Sequence, residues 1–166
     1  EIEKALNLEI ALWVKKYLEM DDVQVVLTRD SDEGLYDANA SNKKVNDMKN
    51  RVAIIEETGP ALTVSIHQNS YQEEYGHGAQ VFYNAVGDSS ALAETMQQEL
   101  NQAVNVGNEK GKKPISKDIY LMSHVTCPAV LVECGFLSNT AESELLQTPS
   151  YQMLLAMTIC CAALKS

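Results

Sequence analysis

Two apolar stretches of this chain end in side chains that can bind metal or move protons. Pro128, Ala129, Val130, Leu131 and Val132 run without interruption into Glu133, and Cys134-Gly135-Phe136-Leu137-Ser138-Asn139 follows as a turn. Ala61 to Ile66 runs in the same way into His67, with Gln68, Asn69 and Ser70 behind it. A continuous apolar run is the mark of a strand covered on both faces, and the carboxy-terminal end of such a strand is where an α/β sheet offers polar groups to a cleft. A carboxylate placed there must be solvated, paired or at work. Glu133 is therefore a candidate for proton transfer. His67, read alone, is more simply a histidine satisfied in a core; the strand ending and Asn69 behind it raise metal ligation as the competing reading.

The elements that must position these groups follow from periodicity. Leu6, Ile10, Trp13, Val14, Tyr17 and Leu18 recur at three and four, which predicts an amphipathic helix from Glu3 to Met20. Val23 to Leu27 reads as a strand, and the polar stretch from Thr28 to Asn46 as a loop. Val45, Met48, Val52 and Ile55 restore helical spacing up to Gly59-Pro60. Ala61 to Ile66 and Gly78 to Tyr83 are further strands. Leu92, Met96, Leu100 and Ala103 mark a helix that gives way to a loop from Gly107 to Pro114. Ile119 to Met122 reads as a short strand and Pro128 to Glu133 as the strand that closes the sheet. Asn139 or Thr140 caps the next helix, with Glu142 and Ser143 in its first turn, and a last helix runs from about Ser150 to Leu164. With no repeat, low-complexity tract or linker, this alternation predicts one α/β domain over residues 1–166, a mixed central sheet with helices on both faces.

Composition sets bounds. A chain of 166 residues, 45% hydrophobic, builds one core but not two. A net charge of −10 excludes a nucleic-acid surface, which needs clustered Lys and Arg; Lys110, Lys112 and Lys113 read as one solvated loop. No run approaches the roughly 18 apolar residues of a membrane span. The start, without signal peptide or initiator Met, reads as that of a processed product or of a piece expressed on its own. Cys127, Cys134, Cys160 and Cys161 lack the paired spacing of a zinc ribbon and read as buried free thiols.

Glu3-Lys4-Ala5-Leu6-Asn7-Leu8-Glu9-Ile10-Ala11, Leu27-Thr28-Arg29-Asp30, Arg51, Ser65-Ile66-His67-Gln68-Asn69, Gly78-Ala79-Gln80-Val81-Phe82-Tyr83 and Val132-Glu133-Cys134-Gly135-Phe136-Leu137-Ser138-Asn139 occur in a telling order. That order resembles the zinc-dependent N-acetylmuramoyl-L-alanine amidases of the third amidase type, over essentially the whole chain. The wording SIHQNS, GAQVFY and VECGFLSN is most similar to that of the germination-specific amidases of spore formers. The resemblance implies a zinc site of two His and one Glu with a position open for water or substrate. Within it Glu3 matches the glutamate ligand, His67 the second histidine ligand and Glu133 the catalytic glutamate. Asn69 is a candidate for binding substrate or for holding the loop behind His67. The pattern's first histidine lies in a glycine-rich segment after an opening strand, upstream of Glu1, and neither His77 nor His124 takes that place. A preceding segment is therefore expected, because zinc held by Glu3 and His67 alone would bind weakly and a missing strand would leave a sheet edge unpaired.

The activity so implied is hydrolysis of the amide between N-acetylmuramic acid and L-alanine in peptidoglycan, in spore cortex or cell-wall remodelling. Its setting would be extracytoplasmic, in the cell wall or the spore intermembrane space. Its cofactor would be Zn2+, and its partners peptidoglycan or a muropeptide and a regulatory protein. Arg29 and Arg51 read as ion-pair partners for Asp30, Asp32 or Asp47. Two other classes share these residues. A metal-free, catalytically inactive wall-binding or partner-binding module of the same fold would differ in zinc content, and a zinc peptidase acting on ordinary peptides would differ only in substrate. Some family members carry an inserted helix that plugs the cleft. Here only Ser70 to His77 separates Asn69 from the next strand, so the cleft is expected to be open.

Overall fold

The structure, a computed structural model, describes residues 1–71 and 73–166. Its sheet is built around β4 (Ala129–Phe136), with β1 (Thr63–Asn69) parallel on one side and β2 (Gln80–Tyr83) antiparallel on the other. A two-residue β3 (Lys113–Pro114) adds parallel to β2, giving the order β1-β4-β2-β3. The stretch expected to close the sheet is thus its interior strand, because a run apolar on both faces needs cover that only a central place provides. The mixed sheet with helices on both faces is as the sequence predicts.

Strand side chains alternate between faces, and β4 uses both. Val130, Val132 and Cys134 turn towards α1 (Ile2–Met20), α3 (Ser89–Ala103) and α6 (Pro149–Leu164), where they are buried with Ile10, Met96, Leu100, Leu155 and Ile159. Each fully buried aliphatic side chain here contributes about 1.5–3 kcal/mol. Ala129 and Leu131 turn to the opposite face and pack with Ile55 of α2 (Lys43–Thr58), Met122 of α4 (Tyr120–His124) and Val125 just beyond it. Glu133 is the next residue on that second face, beyond the last residues of this cluster, and is half-buried. The remaining helix, α5 (Thr140–Leu146), joins β4 to α6 and is capped by Asn139, whose side chain accepts the Glu142 N–H at 3.0 Å.

Two predicted strands are absent. Val23–Leu27 forms no ladder: the Val23 N–H turns back to the Leu18 carbonyl at 3.0 Å, finishing α1. The segment faces the free edge of β1 across a groove of about 1700 Å³, lined by Leu27, Leu62, Val64 and Ile66 among others. A β-prone sequence without a neighbour to pair with does not make a strand. Ile119–Met122 enters α4 instead, since a four-residue apolar run carries no readable period. Met122 and Val125 then drop at helical spacing into the second cluster, and the His124 ring stacks on Tyr120 with centroids 3.8 Å apart. All four cysteines are free, but only Cys134 and Cys160 are buried; Cys127 is half-buried and Cys161 exposed.

The polar stretch before α2 is fastened by charge. Buried Asp47 accepts Arg51 Nε on Oδ2 and the Leu35 N–H on Oδ1, both at 2.6 Å, and Arg51 reaches on to Thr28 Oγ1 at 3.4 Å. Burial alone pushes the Asp47 carboxyl up, but its hydrogen bonds from Arg51 and Leu35 outweigh that and hold it below the ordinary aspartate value. Arg29, expected as an ion-pair partner, instead donates to the carbonyls of Ser31 and Lys4 at 2.7 and 2.9 Å and ties this stretch to α1. Asp47→Asn is expected to cost about 1–3 kcal/mol near neutral pH, by leaving Arg51 without its counter-charge. Because the folded carboxyl titrates below the unfolded one, the parent's advantage is complete above the ordinary aspartate value and fades as pH falls through the folded value. Urea melts of both proteins across the acid range test this; a stability gap that does not narrow on acidification would refute the assignment.

Candidate active site

The free part of the second sheet face is where the chemistry-bearing residues meet. His67 on β1 pairs in register with Glu133 on β4, and Glu133 with Gln80 on β2, so the three stand in one row across the sheet. Glu3 comes to this row from the first turn of α1. Its Oε1 lies 3.5 Å from His67 Nδ1 and accepts the Gln68 N–H at 3.3 Å. His67 Nε2 lies 3.0 Å from Ser65 Oγ, two residues back on the same face. Asn69 Nδ2 donates to Glu133 Oε2 at 2.7 Å while its own Oδ1 accepts the Ser70 N–H at 2.7 Å, so this amide is oriented from both ends. The structure thus brings Glu3, His67, Asn69 and Glu133 into one cluster.

Burial pushes the His67 ring below the ordinary histidine range, against the pull of the Glu3 carboxylate, and leaves it neutral near pH 7 with a lone pair to offer. Burial pushes the Glu133 carboxyl up, the charge of Glu3 adds to this, and Lys113 and Lys110 oppose it. Cys134 faces the opposite side of the sheet and its thiol is pushed up to about 12 by burial, which removes it as a ligand or nucleophile.

Two protein donors that share a tetrahedral zinc ion at about 2.0–2.2 Å stand about 3.3–3.6 Å apart. The separation of Glu3 Oε1 from His67 Nδ1 fits that span, and the pair suits two corners of such a site. Among the described residues no group of three His, Cys, Asp or Glu side chains is arranged to hold a metal. His77 is exposed with Nδ1 3.2 Å from the Tyr75 carbonyl, and His124 is engaged on Tyr120.

Glu142 is the residue that sequence reasoning undervalued. Its buried carboxylate accepts the Gly78 N–H on both oxygens, at 3.0 and 2.8 Å, and the Phe136 N–H at 2.8 Å. It therefore ties the end of β4 to the turn that leads into β2, both lying beyond Glu133 on the same side of its row. The signal was present: Asn139 followed three residues later by Glu142 is the pattern of a capping box, in which the acid would reach back to the cap. Here it reaches past the cap to two other segments. Gly135 makes room for it, since a Cβ there would lie 2.3 Å from Glu142 Oε1. The connection from Ser70 to His77 includes Gln72, which lies outside the described residues. Its neighbours are tied to the turn after β4, through Tyr71 N–H to Ser138 Oγ and Asn139 Nδ2 to the Glu74 carbonyl, each 2.9 Å.

Comparison with known proteins gives a consistent set of likenesses. A family model described as N-acetylmuramoyl-L-alanine amidase matches residues 1–165. The chain is 36% identical to the germination-specific N-acetylmuramoyl-L-alanine amidase of Bacillus subtilis (strain 168) over 162 residues, covering 95% of this chain and 68% of that protein. It is 28% identical to the amidase LytC of the same organism, covering 95% of this chain and 30% of the relative. Among solved structures, the CwlD amidase from Clostridioides difficile in complex with the GerS lipoprotein matches with a TM-score of 0.93 and 37% identity, over 98% of this chain and 85% of that one. The catalytic domain of CwlV from Bacillus (Paenibacillus) polymyxa var. colistinus matches with a TM-score of 0.83 and 29% identity, over 98% and 83%.

The clamp predicts a coupled pair of substitutions. Glu142→Ala is expected to cost about 2–4 kcal/mol, because two buried N–H groups lose a charged acceptor. Gly135→Ala forces the same carboxylate out and should cost a similar amount, yet add little in the Glu142→Ala background, where the three atoms nearest its methyl group are gone. Denaturant melts of the two single variants and the double variant decide; strict additivity would show that the clamp and the glycine act independently.

Proposed function

Because the chain belongs to the N-acetylmuramoyl-L-alanine amidase family, we propose that it is a zinc hydrolase that cleaves the amide joining the lactyl group of N-acetylmuramic acid to L-alanine in peptidoglycan. The observation that carries this reading is the cluster on the free part of the sheet face, with Glu3 and His67 spaced as two donors of one ion and Glu133 beside them, held by Asn69. In this reading Glu3 and His67 would hold zinc at two of its positions. The ion, when bound, would polarise the scissile carbonyl and make a water more acidic.

The rest of the mechanism belongs to this chain's own side chains. Asn69 engages Glu133 Oε2, which leaves Oε1 to take a proton from the attacking water and return it to the leaving amine. A carboxyl whose proton affinity is raised by burial holds that proton between the two steps. Asn69 is thereby assigned to positioning Glu133 rather than to gripping substrate. The neutral ring of His67 keeps a lone pair for the metal, and its Nε2 contact with Ser65 fixes the ring plane.

The likeness to a germination-specific amidase supports a role in spore cortex, outside the cytoplasm, and no helix among the described residues is long and apolar enough to cross a membrane. The amidase solved together with GerS supports a protein partner of the same kind for this chain.

Glu133→Gln is expected to lower turnover of a defined muropeptide about 10²–10⁴-fold while zinc uptake stays near the parent level. His67→Ala should lose zinc first. Both are measured on a form of the chain extended at its amino terminus, by zinc titration and by release of L-alanine amino termini, without an added activator. Cleavage by Glu133→Gln at the parent rate would remove it as the proton carrier, and full zinc occupancy with no cleavage by the parent would favour the inactive wall-binding module.

A further inference from the structure

The candidate cleft is acidic on one rim and basic on the other. Glu3 stands at the β1 side. At the β2 side stands the loop carrying Lys110, Lys112 and Lys113, a notable concentration in a chain of net charge −10. Sheet register fixes where that loop points. Lys113 pairs with Phe82 and Phe82 with Leu131, so Lys113 shares a face with Leu131 and with Glu133 two residues further on. Lys110 lies nearer the end of β4, its Nζ 5.4 Å over the Phe136 ring.

The loop is held in place by amide side chains. Asn101 takes both the N–H and the carbonyl of Lys110, at 3.1 and 2.8 Å, and Gln80 Nε2 donates to the Gly111 carbonyl. Asn101 is itself gripped by Gln97 at 3.0 Å and Asn105 at 2.9 Å, both buried. Gly78 completes the fit, with a φ of +96° and its Cβ position within 2.9 Å of Lys110 Cε. A buried amide network specifies one geometry and costs more than an apolar core if any member is lost. A merely solvated loop does not need one. Lys112 spends its charge on Glu94 at 3.4 Å and on Ser90, whereas Lys110 and Lys113 make no ion pair among the described residues.

We propose that Lys110 and Lys113 form a subsite for a substrate carboxylate on the peptide side of the scissile amide. The inference rests on the amidase reading, and the side follows from the substrate's chemistry: the lactyl carboxyl of the sugar is the group tied up in the scissile amide, so the free carboxylates lie on the stem peptide. The electrostatic influence of both lysines on Glu133 agrees with their place at the rim.

The test compares two muropeptides that differ only in whether the stem's second residue carries a free α-carboxylate or its amide, using the zinc-loaded, amino-terminally extended protein. The parent should favour the acid about five- to tenfold in kcat/KM, mainly through KM, and Lys110→Gln/Lys113→Gln should bring the ratio to about one. Lys112→Gln should leave the ratio unchanged. Equal loss on both substrates would assign the lysines to tuning Glu133, and an unchanged ratio in the double variant would also overturn the subsite. Should the parent cleave neither, the amidase reading fails, and titration of the acid and amide forms of the free stem peptide still decides the subsite: acid preference in the parent that the double variant lacks supports it, and equal binding overturns it.

Discussion

A strand shows its side chains to two faces in turn, and the structure depends on how β4 divides its residues between them. One face receives Val130, Val132 and Cys134 and is sealed by three long helices. The other receives Ala129, Leu131 and Glu133, and its cover comes from α2 and the five-residue α4. The apolar cluster on that face reaches Leu131 and goes no further, so the third position stands at an opening. A carboxylate is tolerable there because its second oxygen accepts a hydrogen bond from Asn69 and the residue is only half-buried. The shortness of α4 is therefore as much a part of the site as Glu133 itself.

What was legible in the sequence were the features that local physics decides. Helices α1, α2 and α3 announce themselves by period, β4 by an unbroken apolar run, and Glu133 and His67 as the polar residues that close apolar runs, although the strands continue past them to Phe136, through residues expected to turn, and to Asn69. What was not legible depended on neighbours. Val23–Leu27 has the composition of a strand but no ladder partner, and Ile119–Met122 is too short to show whether its apolar residues repeat at two or at three and four. β3 is two residues of an otherwise polar loop, and only the edge of β2 makes it a strand. The ligand role of Glu3 rested on resemblance, since an acid in a first helical turn is ordinary; its 3.5 Å approach to His67 is tertiary information.

Two sets of buried and half-buried polar side chains in this protein act on loops more than on the core. Glu142 joins two segments that meet beside the cleft, and Gln80, Gln97, Asn101 and Asn105 hold the neighbouring turn. Both sets bond mainly to backbone groups, which fixes chain path without demanding particular side chains at the rim. The rim can then carry whatever charge suits a ligand. Apolar packing would not achieve this, because it favours contact without specifying direction.

The parallel pairing of β1 with β4 also sets when chemistry can begin. Contacts between Glu3 and Gln68 span 65 residues and those between Asn69 and Glu133 span 64, so the cluster is closed by two long loops rather than by any local hairpin. A chain emerging amino terminus first displays Glu3 and His67 before it displays Glu133. No fragment that stops before β4 carries all four residues, and β4 has no neighbours until both earlier strands exist. The cluster of Glu3, His67, Asn69 and Glu133 therefore comes together only once β4 has been made, as a property of the assembled sheet rather than of any shorter piece.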